Sequence, residues 1–125
     1  MSKSYKIPTA EEFARASRAM SEASRNLEEV RESVLGRFRG RSPLHEFFIL
    51  DQGDVDFRAY VFLEKNEDVA ACRTSGVDRE IIDFVYVELE RLGRGARNEI
   101  KVAFEFDSDE NVAANFNGDY YLRRL

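Results

Sequence analysis

A chain of 125 residues with 43% apolar residues and ten phenylalanines can bury one sizeable core, so a single domain spanning residues 1–125 is expected, its first eight residues flexible. One histidine (His45), one cysteine (Cys72) and no tryptophan leave little material for a histidine-based triad, a Cys–His pair or a zinc cage, so neither catalytic residues nor a metal or cofactor is expected. The formal net charge of −5 disfavours nucleic acid and anionic membranes and favours basic partners.

Residues 9–35 read as a long helix. Thr9 and Glu12 have the spacing of a capping box, and Glu11 and Glu12 place negative charge at the positive end of the helix dipole. Phe13, Ala16, Met20, Ala23, Leu27, Val30 and Val34 recur at steps of three and four, giving one apolar stripe. Gly36 and Gly40 then predict its end. The stripe fits packing on the domain's own sheet; as a narrow seam it also fits a homodimer through this helix.

Two strands follow. Residues 46–51 form a nearly continuous apolar run, residues 51–54 a turn, and residues 55–64 alternate. Val55, Phe57, Ala59, Val61 and Leu63 face one way; Tyr60 and Phe62 face the other, either covered by another element or exposed to a partner. Asn66 can cap a short helix to about Ser75, with Gly76 as its stop; a strand over residues 69–73 (Val69 to Arg73) competes. Residues 78–92 read as a helix with Ile81, Ile82, Val85, Leu89 and Leu92 on one face and Gly93 after it. Residues 91–97 read as a flexible basic loop. Alternation returns at residues 99–107, with Ile100, Val102, Phe104 and Phe106 as its core row. Ser108 to Val112 reads as the capped start of a short helix, Asn117-Gly118 as a tight turn, and residues 120–125 as a last strand. The predicted class is α+β: a long N-terminal helix plus a mainly antiparallel sheet of about four strands, with helices packed on one face.

Few groups in this order suggest chemistry. Asp107, Asp109 and Asn111 have the first ligand spacing of a calcium loop, but Val112 stands where its glycine is needed and Gly118 where its glutamate is needed. A strand end and a helix cap explain them better. Asp51, Asp54 and Asp56 make a second acidic cluster on a hairpin turn, suited to a solvated face or a protein contact. His45, with no second base or nucleophile nearby in sequence, reads as a surface residue at a strand entry, and Cys72 in its Ala-Ala context as a small buried filler. Arg31, Arg37, Arg39 and Arg41 surround two glycines and Phe38, somewhat like an RNA-binding segment, but the net charge and the lack of paired stacking aromatics weigh against nucleic acid. No apolar run nears the ~20 residues of a bilayer span and the first residues lack the apolar stretch of a secretory signal, so a cytoplasmic location and no membrane contact are expected.

The last third carries a family likeness. The runs IIDFVYVELERLG (81–93), IKVAFEFDSDENV (100–112) and NFNGDYYLR (115–123) resemble those of small bacterial immunity proteins of the polymorphic-toxin type. In these a helix ending in Leu-Gly precedes a strand-to-helix junction, and a Gly-x-Tyr-Tyr strand closes the chain. The resemblance implies a non-enzymatic protein that binds and neutralises a cognate toxin domain, one candidate being a basic nuclease. The contact would then rest on Tyr60, Phe62, Tyr120 and Tyr121 as anchors, rimmed by Asp51, Asp54, Asp56, Asp107 and Asp109. The alternatives are an acidic secretion chaperone acting as a dimer, or a small enzyme.

Overall fold

The computed structural model describes residues 9–51 and 54–125, without the side chains of residues 13 and 16–24. The expected flexible residues 1–8 therefore lie outside the described residues. So do the side chains of Phe13, Ala16, Met20 and Ala23, on which a homodimer seam would depend.

Helix α1 (Ala10–Phe38) starts as its sequence predicts: Thr9 Oγ1 accepts from the Glu12 amide at 3.1 Å. It runs past the predicted end and through Gly36. A mid-helix glycine costs about 1 kcal/mol relative to alanine, whereas burying a phenylalanine contributes about 1.5–3 kcal/mol. Phe38 is buried, edge-on to Phe84 at 5.7 Å, so packing carries the helix one turn further. Ser42 then closes the end, its amide (3.0 Å) and hydroxyl (2.8 Å) both donating to the Phe38 carbonyl.

Strands β1 (Leu44–Leu50) and β2 (Phe57–Leu63) form an antiparallel hairpin with Phe47 opposite Val61 and Phe48 opposite Tyr60. Strand β3 (Val102–Ser108) joins the other side of β2 in parallel, pairing Phe57 with Val102 through Leu63 with Ser108. The sheet order is β1-β2-β3. The expectation of antiparallel pairing thus holds for the hairpin, while β3 departs from it. β2 is the central strand, covered on both faces, so Tyr60 and Phe62 are buried like Val61 between them.

Helices α2 (Asn66–Ser75) and α3 (Val77–Arg91) connect β2 to β3, the crossover that a parallel pair requires. Residues 69–73 are helical, so the competing strand is excluded. The α2 start is held by the Lys65 amide donating to Asp68 Oδ2 at 3.0 Å, not by an Asn66 side-chain cap. Gly76, at φ +84°, separates the two helices. One core lies between the sheet and α1–α3: Val30, Val34, Phe38, Phe47, Val61, Leu63, Ile81, Val85 and Leu89 are all buried there. Cys72 joins them as expected; burial pushes its thiol pKa up, and Sγ lies 3.1 Å from the Val69 carbonyl.

Two expectations fail at the C-terminal end. Residues 120–125 do not form a fourth strand but helix α5 (Tyr120–Arg124), following α4 (Asp109–Asn115). Asp119 caps α5, with Oδ1 accepting from the amides of Tyr121 (2.9 Å) and Leu122 (3.3 Å). The preceding turn has the positive φ angles predicted for Asn117 (+53°) and Gly118 (+74°). Helices also lie on both faces of the sheet, not one. Val112, Phe116 and Tyr120 from the α4–α5 region pack on Phe48, Leu50, Tyr60 and Phe62, a second small core opposite the first.

The predicted basic loop is tied down. Arg94 lies 5.0 Å over the Phe57 ring and 3.7 Å from Asp51, and Arg97 lies 4.5 Å over Tyr86 and 2.6 Å from Asp83. Arg31 and Arg39 are likewise engaged. Arg31 donates to Glu46 at 2.8 Å and Arg39 to the His45 carbonyl at 2.7 Å, while Glu46 also accepts from the Phe47 amide at 3.0 Å. These charged groups guard the β1 edge of the sheet, where unpaired backbone would otherwise invite another strand.

Candidate functional site: the α5 ridge and its acidic surround

The β3–α4 junction is organised by Asp107 and Ser108. Ser108 Oγ accepts from the Asn111 amide at 3.0 Å and donates to Asn66 Oδ1, tying the α4 cap to α2. Asp107 accepts from the Ser108 amide (2.8 Å), Asn111 Nδ2 (2.9 Å) and Arg123 Nε. Burial pushes the Asp107 carboxyl up, but the donors from Arg123, Ser108 and Asn111 outweigh it and hold it below its ordinary value. Arg123 continues to Glu105 at 3.5 Å, Glu105 to Arg58 at 3.8 Å, and Arg58 to Asp54 at 3.7 Å. Opposite charges thus alternate across the second face of the sheet.

Tyr120 sits at the centre of this face. Its ring meets Phe62 edge-on at 4.6 Å, tilts against Phe48 at 5.7 Å and stacks with His45 at 6.4 Å. Its hydroxyl donates to Asp109 Oδ1, from which His45 Nε2 lies 3.4 Å. Burial, together with the Asp109 carboxylate, raises the phenol pKa and keeps it protonated. His45, isolated in the sequence, therefore acquires an acidic neighbour 64 positions away. The contacts join α4 and α5 to β1, and the same Asp109 oxygen faces both partners.

The predicted site residues divide by this geometry. Tyr60 and Phe62 are buried beneath α4 and α5, so neither offers surface as an anchor. Tyr120 is half-buried and engaged with Asp109. Asp56 Oδ2 accepts from the Lys101 amide at 2.7 Å, fixing the start of β3 to β2. Asp107 lies at the strand end as expected and is committed to Arg123, whereas the helix cap is Ser108 and Asp109, the first residue of α4, is committed to Tyr120. Among the described residues there is no group of three or more potential metal ligands. Asp51 and Asp54 remain well exposed despite their arginine partners, Asp54 at 92%.

No protein-family model matches the chain, and neither a curated protein nor a solved structure is significantly similar to it.

Apolar side chains are exposed beside these carboxylates. Tyr121 (65% exposed), Leu122 (44%) and Leu125 (82%) form a ridge along α5. Leu50, Tyr121, Arg124 and Leu125 line a cavity of about 260 Å³ beside it. Arg124 forms its polar wall, with its guanidinium 4.2 Å over Phe48 and Nε donating to the Tyr120 carbonyl at 3.1 Å. Of these residues only Tyr121 is foreseen from sequence as a contact. Leu122, Leu125 and Arg124 are concealed by reading the segment as a strand, whose alternation places different residues outward. The Asp119 side chain just before Tyr120 is the signal that could have revealed the helix.

Proposed function

We propose that this chain is a non-enzymatic binding protein that neutralises a cognate bacterial toxin domain by covering part of it. The observation that carries the reading is the exposed ridge of Tyr121, Leu122 and Leu125 beside the Leu50 cavity. Contiguous exposed apolar side chains flanked by charge mark contact surfaces, and aromatic side chains that fit pockets carry much of the energy of such contacts. The polar groups nearby are engaged in holding the fold: Asp107 with Arg123, Asp109 with Tyr120 and His45. The resemblance of the runs within residues 81–123 to immunity proteins is the reason for naming a toxin domain as the partner, although the strand expected at its end is the helix α5. No described helix is long and apolar enough to cross a membrane.

Co-expression tests the proposal. A toxin domain encoded beside this chain is expected to arrest growth alone and to lose that effect when the intact chain is supplied. Growth arrest that persists at equal expression of both proteins would overturn it.

A further inference from the structure

We infer that the α5 ridge receives a basic protein surface, one that places an apolar side chain in the Leu50–Leu125 cavity and lysines or arginines against the carboxylates around it. The inference rests on the proposed function only in taking the ridge as a contact surface; the partner's charge follows from the distribution of this chain's own charges. Residues 44–65 and 102–125, which build the sheet, α4 and α5, contain ten carboxylates and four cations. The remainder of the chain holds fourteen carboxylates and fifteen cations, so the whole negative excess lies on the ridge-bearing segments.

Of their four cations Lys65 is exposed, and the three arginines are engaged by neighbouring groups. Arg123 is drawn onto Asp107 and Glu105, Arg124 lies flat on Phe48, and Arg58 is shared between Asp54 and Glu105. Asp51, next to Leu50 of the cavity, Asp54 and the α5 cap Asp119 are exposed residues, Asp51 even with Arg94 3.7 Å away. The surround of the ridge therefore presents negative charge, although arginines lie within a few ångströms of it.

That sign selects among occupants. A second copy meeting this ridge across a two-fold axis would bring two acidic surrounds together, and like charges in a closing interface oppose association. Nucleic acid and anionic lipid are repelled in the same way. A basic protein surface gains both apolar burial at the centre and complementary charge at the rim, the arrangement in which rim charges accelerate encounter and the centre holds the complex.

Selection of a random 12-residue peptide library on the intact chain tests this. Enriched sequences are expected to carry Lys or Arg flanking a Leu, Met or Phe. Their affinity should fall at least ten-fold for Tyr121→Ala with Leu125→Ala, and should lose much of its salt dependence for Asp51→Asn with Asp54→Asn. All four side chains are on exposed residues, so unchanged thermal unfolding separates a lost contact from a lost fold. Selection of neutral or acidic peptides, peptides indifferent to both double variants, no enrichment, or a dimer abolished by Tyr121→Ala would each overturn the inference. Growth rescue that survives Tyr121→Ala with Leu125→Ala would overturn this surface while leaving the proposed function standing. Basic peptides bound at the ridge without growth rescue would do the reverse.

Discussion

Asp107 joins a strand end, a helix cap and the C-terminal helix at one carboxylate, so its protonation reaches all three. Its pKa is held below the ordinary 3.8 by Arg123, Ser108 and Asn111 acting against burial. A carboxyl depressed on folding contributes stability that is present above its unfolded value and lost as pH falls through its folded value. Acidification from pH 7 should therefore weaken the fold most steeply below about pH 4, where the unfolded carboxyl protonates first. Asp107→Asn should lower stability at pH 7 by about 1–3 kcal/mol, because Arg123 loses a buried charged partner, and should flatten this acid-sensitive part of the profile. Urea unfolding at a series of pH values measures both. An unchanged acid slope would show that other carboxylates carry it. At this scale the sequence reading succeeds for Asp107 and Ser108 as strand end and cap, because the pattern is local. It fails for His45, whose partners Asp109 and Tyr120 arrive only when β1, α4 and α5 meet.

Among elements, the helices and hairpin are legible where period and punctuation agree. Thr9 starts α1, Gly76 separates α2 from α3, and the alternation of β2 sorts its two faces. Departures occur where tertiary contacts outweigh local preference. Gly36 lies inside α1 because Phe38 is buried beyond it, and α5 replaces a predicted strand because Asp119 caps it and Tyr120 packs on Phe62. The parallel placement of β3 depends on which side of β2 remains open once the hairpin has formed, information that no local pattern contains. Two glycines give opposite predictions. A Cβ at Gly36 meets nothing within 4 Å, so Gly36→Ala should stabilise the protein by about 0.5–1 kcal/mol. Gly95 has φ +129°, and a Cβ there would lie 2.5 Å from Ile100 Cγ2, so Gly95→Ala should cost about 1–3 kcal/mol. Thermal unfolding of the two variants should shift in opposite directions; shifts of the same sign would contradict the packing described at one of the two sites.

As a whole molecule, the protein places its larger core and three of its helices on one side of the sheet and a smaller aromatic core, the ridge and exposed carboxylates on the other. A net −5, visible in the sequence alone, is the basis for expecting a basic partner. Where exposed apolar surface lies was not legible, because Tyr60 and Phe62 are buried by the fold. Apart from Val87 on α3, the large exposed apolar side chains among the described residues come instead from the segment that forms α5. The central claim, that this chain acts through contact at the α5 ridge, is tested most directly by calorimetric titration against a toxin domain that it neutralises in cells. The predicted result is a one-to-one complex whose affinity falls about thirty-fold or more in Tyr121→Ala with Leu125→Ala, as expected when central anchors are truncated. A complex of undiminished affinity would contradict it.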